Sequence, residues 1–202
     1  FMLRKLTYMI KEIDFYFDFI SPYSYLAHKN IKILRNIKNI NFNYKPILVG
    51  GLHNLNKITA PAFIMSKLKH MINDCVLIAN KNDIDFLWNS KFPINSLNVM
   101  RGYFFINPNT RNLYIDLIFE AYWKNNQDVS NKKILTSILD KCKIDSKNFL
   151  EGTNSQQIKD KLKNVTKEAY DKEVFGVPTF VVNNKIFWGQ DRIDFALDEY
   201  NK

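Results

Sequence analysis

The alternation of apolar and polar positions predicts a β-α-β unit near the start of the chain. In residues 13–20 aromatic residues alternate with acids and then run together, which is typical of a buried strand. Ser21-Pro22 follows, a favoured N-cap and a favoured first helical residue, so a helix is predicted from there to about Lys38. A second strand is predicted over 41–49, closed by Gly50-Gly51. Strands joined in this way are parallel.

The middle of the chain changes to helical periodicity. Apolar residues recur three and four positions apart between residues 60 and 171, and Thr110 stands where it can cap a helix. The spacing predicts helices over 61–80, 95–105, from about 110, over 130–142 and over 154–170.

Strand periodicity returns near the end of the chain. Residues 178–182 and 185–188 are predicted strands, and Asn183-Asn184 between them is a two-residue turn of a type that tolerates positive φ. A final helix is predicted over 191–200. The order is therefore β-α-β, a helical block and β-β-α.

A βαβ unit and a ββα unit are the two halves of a thioredoxin fold. We therefore predict an α/β protein with a thioredoxin-like fold that carries a large all-helical insertion. Residues 10–58 and 172–202 are predicted to form the thioredoxin-like domain, and residues 59–171 the insertion.

Composition narrows the classes of function. The net charge of +9 comes from Lys spread along nearly the whole chain rather than from one stripe, so nucleic-acid binding is not predicted. A positive field favours small anionic ligands.

No apolar stretch has membrane-spanning length and the first residues show no signal-peptide pattern, so we expect a cytoplasmic protein without membrane contact. Cys75 and Cys142 lack C-x-x-C spacing and are interpreted as buried or half-buried thiols; no metal cluster is predicted.

The first predicted helix begins at a residue suited to holding an anion. Ser21 lies at the helix N-terminus, where amide N–H groups and the helix dipole lower the pKa of a thiol below its usual value of about 8.5. Its hydroxyl can donate one further hydrogen bond to the sulfur. The motif Ser21-Pro22-Tyr23-Ser24 contains no sulfur, so it suits a bound thiol cofactor and not disulfide exchange. A plain N-cap is the alternative reading of Ser21.

Two other segments are predicted to lie at the same end of the sheet. Val177-Pro178 opens a strand, and a cis bond there would leave the Val177 backbone free to pair with a peptide-like ligand; an ordinary strand-start proline is the alternative. The Asp191 carboxylate can receive an ammonium group or, alternatively, cap the last helix.

Two long segments carry a family resemblance. IDFYFDFISPYSYLA (13–27) and VFGVPTFVVNNKIFWGQDRIDF (174–195) resemble the 2-hydroxychromene-2-carboxylate isomerase family, relatives of kappa-class glutathione transferases among the thioredoxin-like proteins. The match between them is weaker but keeps register, so the resemblance covers the chain from residue 13 onward. The positions in register are Gly50-Gly51, Pro61, Lys67, Asp74, Phe92-Pro93, Asn95-Ser96-Leu97, Arg101, Ala121, Trp123 and Asp128.

The resemblance implies glutathione as cofactor. By the family pattern Ser21 hydrogen-bonds the glutathione thiolate and is the catalytic residue, the Val177 backbone before a cis-Pro178 holds the cysteinyl part, and Gln190 and Asp191 hold the γ-glutamyl end. The thiolate then adds reversibly to an aromatic acid, a bond rotates, and sulfur is expelled. The family also implies a homodimer.

The sequence departs from the family at two positions. A family asparagine that helps to hold glutathione falls on Ile58, and Asn56 can take its place only if the loop shifts; Leu77 stands where the family usually has arginine. Losing one polar contact to an oriented ligand costs about 1–3 kcal/mol. Lys67 and Asp74 are further site candidates, with an ion pair within one helix as the alternative.

The three histidines are assigned no role. His28 is expected to be partly exposed in the first helix, His53 lies near the predicted site, and His70 occupies a position that is often aromatic in the family.

Three functions remain open from the sequence. The leading hypothesis is a glutathione-dependent isomerase of an aromatic carboxylic acid. The second is a kappa-like glutathione transferase that conjugates electrophiles. The third is a non-catalytic thioredoxin-like binding protein, which Ile58 and Leu77 favour.

Overall fold

One mixed sheet of four strands organises the computed structural model, which describes residues 11–38 and 40–202. The strand order is β2-β1-β3-β4, with β1 parallel to β2 and antiparallel to β3, and β3 antiparallel to β4. The strands are β1 (Ile13–Phe17), β2 (Phe42–Pro46), β3 (Thr179–Val182) and β4 (Lys185–Trp188). This is the βαβ and ββα arrangement that the hydrophobic pattern predicts. Residue 10, the predicted start of the first domain, lies outside the described residues.

Helices make up most of the described chain between the two halves of the sheet. The helices are α1 (Pro22–Lys38), α2 (Val49–Asn56), α3 (Met65–Lys81), α4 (Leu97–Phe105), α5 (Pro108–Trp123), α6 (Lys132–Lys141), α7 (Ser146–Thr153), α8 (Gln156–Asp171) and α9 (Ile193–Tyr200), with 3₁₀ turns at Pro61–Phe63 and Gln190–Arg192. None of the described helices is long and apolar enough to cross a membrane.

Side chains of alternating strand positions form two apolar clusters, one on each face of the sheet. Phe15 and Phe17 stack on one face with ring centroids 5.5 Å apart, in the larger cluster that includes α1, α5 and α9. Tyr16 points to the opposite face, where Leu52 of α2 and Ala169 of α8 cover the sheet. The two-residue period of the strands therefore decides which helices each strand residue meets.

The second strand is shorter in the structure than the predicted range of 41–49. β2 ends at Pro46, and Gly50-Gly51 lie inside α2 instead of closing a strand. The Asp18 carboxylate accepts a hydrogen bond of 3.0 Å from the Val49 N–H, the first N–H of α2. This partner lies 31 residues earlier in the chain. The start of α2 therefore has no local side-chain cap that a sequence pattern could indicate.

Two helix starts in the insertion also differ from the prediction. Asn107 caps α5 by accepting from the Asn109 N–H at 3.0 Å, with Pro108 as the first helical residue, so Thr110 already lies within the helix. The predicted helix over 154–170 begins at Gln156, after the Ser155 cap, and α7 precedes it as a separate helix.

His28 is buried, contrary to the expectation of partial exposure. The residue is 4% exposed because α5 packs over this face of α1. Nδ1 lies 2.7 Å from the Tyr44 hydroxyl and Nε2 lies 2.7 Å from Asp116 Oδ1. Both ring nitrogens therefore have partners inside the fold.

Both cysteines are buried free thiols, as predicted. Burial raises the pKa of Cys75 to about 12 and also raises the pKa of Cys142. Neither sulfur is therefore a thiolate at neutral pH, and neither has the character of a reactive cysteine.

Candidate active site at the start of the first helix

Ser21 lies where the sheet ends and α1 begins. Ser21 is 7% exposed, and its Oγ accepts a hydrogen bond of 3.1 Å from the Ser24 N–H, so Ser21 does cap the helix. The same hydroxyl donates to the Val177 carbonyl oxygen at 3.4 Å. The fold thus brings together two residues that are 156 positions apart, and the capping role coexists with this long-range contact.

Two backbone N–H groups beside this hydroxyl have no acceptor among the described residues. They belong to Tyr23, in the first turn of α1, and to Val177. The free N–H groups of a helix start, together with the helix dipole, favour an anion. The donors present therefore fit a peptide-like ligand that carries a thiolate: the hydroxyl and the Tyr23 N–H suit the sulfur, and the Val177 N–H suits a backbone carbonyl.

Hydrogen bonds hold the turn that presents Val177. The Val177-Pro178 peptide bond is cis. The Thr179 hydroxyl donates to the Gly176 carbonyl at 2.7 Å, and the Gly189 N–H donates to the Pro178 carbonyl at 3.0 Å. A Cβ at position 176 would lie 2.9 Å from Trp188 Nε1, so this close approach requires glycine.

Gln190 and Asp191 belong to a 3₁₀ turn that packs against α1. Gly189 precedes it with a φ of +119°, a value that glycine adopts without strain. Asp191 is exposed; its carboxylate lies 3.4 Å from the Arg192 guanidinium and makes no capping bond to α9. The Asp191 side chain therefore does not cap α9.

The α3 helix approaches the site through Tyr23. The Tyr23 hydroxyl donates to Asp74 Oδ2 at 2.7 Å, and burial followed by this bond raises the pKa of the phenol. Lys67 is exposed and lies seven positions earlier on α3, which places it on the same side of the helix about 10 Å away. No carboxylate of the described residues lies within salt-bridge distance of Lys67.

Asn56 is not brought together with Ser21 by any described contact. Its side-chain N–H₂ donates to the Leu52 carbonyl at 3.0 Å and to the Val174 carbonyl at 3.4 Å, and so holds the end of α2. Ile58 and Leu77, the two departures from the family pattern, are both exposed. The side chain of His53 is half-buried, and burial lowers its pKa.

Asp18 is a residue near the site that the sequence analysis does not single out. Its carboxylate is completely buried, and besides Val49 it accepts from the Ile20 N–H at 3.1 Å. Burial raises its pKa to about 6, against the opposing effect of these hydrogen bonds. The sequence signal was present, since an acid within an aromatic strand segment that leads to Ser21 must have buried partners.

The fold and the site together define a class: thioredoxin-type proteins with a helical insertion, in which a serine begins the first helix. The chain belongs to the DsbA-like thioredoxin domain family, whose model matches residues 12–201.

Similar proteins agree with this class. The chain is 28% identical to the 2-hydroxychromene-2-carboxylate isomerase of Sphingobium xenophagum over 198 residues, which cover 95% of this chain and 98% of the relative. It is 24% identical to the human glutathione S-transferase kappa 1 over 91% of this chain and 88% of the relative. A solved structure of a 2-hydroxychromene-2-carboxylate isomerase superposes with a TM-score of 0.85 at 23% identity, covering 92% of each chain, and supports the fold. The predicted resemblance and fold class are therefore confirmed.

Proposed function

We propose that this protein is a glutathione-dependent isomerase of an aromatic carboxylic acid. One observation carries the proposal: the Ser21 hydroxyl lies at the start of α1 and within 3.4 Å of the Val177 carbonyl, beside the two free N–H groups. Relatives that align with almost their whole length and bear the isomerase name support it. The cytoplasmic location and the homodimer stay predictions.

The residues of the chain divide the work of holding the cofactor. Glutathione, when bound, supplies a nucleophilic sulfur. The Ser21 hydroxyl donates a hydrogen bond to that sulfur, and the Tyr23 N–H and the dipole of α1 keep the sulfur in the anionic form. The Val177 N–H pairs with a carbonyl of the tripeptide in the manner of an added strand.

Charged and polar side chains hold the ends of the tripeptide in this proposal. Asp191 receives the ammonium group, Gln190 supplies amide hydrogen bonds, and Lys67 attracts a carboxylate. We leave Asn56 out of the site because its amide donors are engaged by backbone carbonyls. A net charge of +9 also draws an anionic substrate towards the protein.

Replacing the hydroxyl of Ser21 tests the proposal. Ser21→Ala is expected to reduce glutathione-dependent isomerisation of 2-hydroxychromene-2-carboxylate about 10²- to 10³-fold, the usual cost of removing one donor to a reacting anion. Ser21→Thr keeps the hydroxyl and the cap, so it retains more activity than Ser21→Ala. Steady-state rates followed by absorbance measure both. Equal rates for wild type and Ser21→Ala would contradict the assignment.

Ser24→Ala is the matched control. Ser24 belongs to the same motif, and its Oγ is buried without a hydrogen-bond partner among the described residues. The same chemical change three residues away should leave the rate within about threefold of wild type.

Glutathione binding and the pKa of its thiol test the cofactor separately. Glutathione should raise the melting temperature, and the ultraviolet absorbance of the bound thiolate should report a pKa below about 8.5. Conjugation of a chloronitrobenzene without chromene isomerisation would favour a transferase instead. Absence of both binding and turnover would favour a non-catalytic binding protein.

A further inference from the structure

A concave surface lies between α2, α4 and α8, and Ser21 does not line it. Its volume is 710 Å³, which is within the range of small-molecule sites. None of the residues proposed to hold glutathione lines it. We call this surface the α8 groove.

Leucine side chains provide apolar walls in the α8 groove. Leu48, Leu97 and Leu162 line it, one from each side of the groove. The Thr166 hydroxyl, which also lines it, accepts from the Leu48 N–H at 3.1 Å and donates to the Leu162 carbonyl at 2.8 Å. These polar groups satisfy one another, so this part of the wall favours an apolar ligand.

Positive charges without partners line the same groove. Lys159 and Lys163 lie four positions apart on α8, on one side of the helix, and no carboxylate of the described residues is within salt-bridge distance of either. Like charges at this spacing repel each other, and a bound anion would relieve the repulsion.

Arg101 adds an independent observation from α4. It lines the groove, and its Nε is buried without a hydrogen-bond partner among the described residues. An unpaired buried donor is costly, so Arg101 favours a ligand that supplies an acceptor at this point. Of the other charged residues on the groove, Asp160 accepts from Gln156 at 2.8 Å and Lys167 is paired with Asp171.

We propose that the α8 groove binds an amphipathic monocarboxylate of the medium-chain fatty acid type. The hydrocarbon chain lies against the leucines, and the carboxylate accepts from Arg101 and is neutralised by Lys159 and Lys163. The positive charge of the groove favours an anion, and its walls favour the apolar part of the same molecule. The proposal does not depend on the isomerase activity.

Isothermal titration calorimetry with decanoate tests the proposal. We expect one saturable site in wild type, at least tenfold weaker binding in the double variant Lys159→Glu, Lys163→Glu, and wild-type affinity in Lys161→Glu. Lys161 is exposed on the same helix but does not line the groove, so it is the matched control for charge reversal. Asn54→Trp fills the groove from an exposed position and should also weaken binding.

Several results would overturn the proposal. The first is the absence of saturable binding in wild type, and the second is equal affinity in the double variant and Lys161→Glu. The third is that decanol binds as tightly as decanoate. The fourth is displacement of decanoate by glutathione, which would place the ligand at Ser21. Sedimentation velocity provides a further test: a dimer that the double variant converts to monomer would show that a second copy covers the groove.

Discussion

The hydroxyl of Ser21 is shared between a local partner and a distant one. The bond that it accepts from Ser24 is short-range, whereas the bond that it donates to Val177 is 3.4 Å long and therefore weak. An acceptor atom of a ligand can therefore replace the Val177 carbonyl as the partner of the Ser21 hydroxyl at little cost, while the bond from Ser24 persists. Sequence reasoning identifies the cap from Ser-Pro alone, but the contact with Val177 exists only in the folded chain.

Burial lowers the pKa of His28, and this shift should make the stability of the protein depend on pH. His28 faces Tyr44 from β2 and Asp116 from α5, with Lys29 and Lys32 on its own helix. Burial lowers its pKa more than Asp116 raises it. The unfolded chain therefore binds more protons just below the usual pKa of about 6.5, so the free energy of unfolding should rise with pH up to about 6.5 and then level off.

Comparison with His28→Gln isolates this titration. The wild-type free energy of unfolding minus that of His28→Gln should increase between about pH 5 and pH 6.5 and stay constant above. Urea unfolding followed by circular dichroism at a series of pH values measures it. A difference that decreases with rising pH would mean that Asp116 dominates and that the folded pKa is raised.

Among the elements, the β3–β4 hairpin follows most directly from local chemistry. Asn183 and Asn184 have φ values of 50° and 59°, as a two-residue turn between strands requires. The Asn183 amide also donates to the Glu199 carbonyl and carboxylate at 3.2 Å, so this residue has a second role.

The effect of a substitution at Asn184 on stability should depend on how easily the new residue adopts a positive φ. Asn184→Ala is expected to lower the free energy of unfolding by about 1 kcal/mol, because alanine avoids the left-handed region. Asn184→Gly should stay within about 0.5 kcal/mol of wild type, since glycine adopts this region freely but loses more entropy on folding. Denaturant titration measures both, and equal effects of the two substitutions would contradict the turn geometry.

Two helices show where local patterns are insufficient. The start of α2 is capped by Asp18, which follows β1 and lies 31 residues earlier in the chain, and its first residues include Gly50-Gly51, which indicate a turn by composition. The α7 helix is short and contains Gly152, at a position where the ring of Phe105 leaves no room for a side chain. In both cases tertiary contacts override weak local propensity.

At the scale of the whole molecule, close packing of the insertion depends on Gly102. A Cβ on this α4 residue would overlap the Tyr114 hydroxyl and the Phe149 ring, both fully buried. Gly102→Ala should therefore lower the free energy of unfolding by about 1–3 kcal/mol, although alanine is the better helix former.

Gly50→Ala is the matched control for this prediction. Nothing lies within 4 Å of a Cβ at Gly50, which is also helical. The substitution should be neutral or stabilising by up to about 1 kcal/mol. Guanidinium unfolding of both variants provides the comparison; destabilisation by Gly50→Ala equal to that by Gly102→Ala would show that packing is not the cause.

The predicted division into a thioredoxin-like domain of residues 10–58 and 172–202 and an insertion of residues 59–171 stays a prediction. Contacts of α8 with β2 and α2 join the two parts closely. The contacts of α8 with α2 and α4 form the α8 groove, which no single segment of sequence indicates.

The sequence by itself determined the order of strands and helices, the type of sheet, and the serine at the start of the first helix. Periodicity, caps and turn residues act over a few positions, so they can be recognised without a structure. Only the tertiary structure decided that Asp18 caps α2, that His28 is buried and that Arg101 and two lysines share a groove. Each of these depends on the meeting of residues far apart in the chain, and that meeting is set by packing of the whole core and not by local propensity.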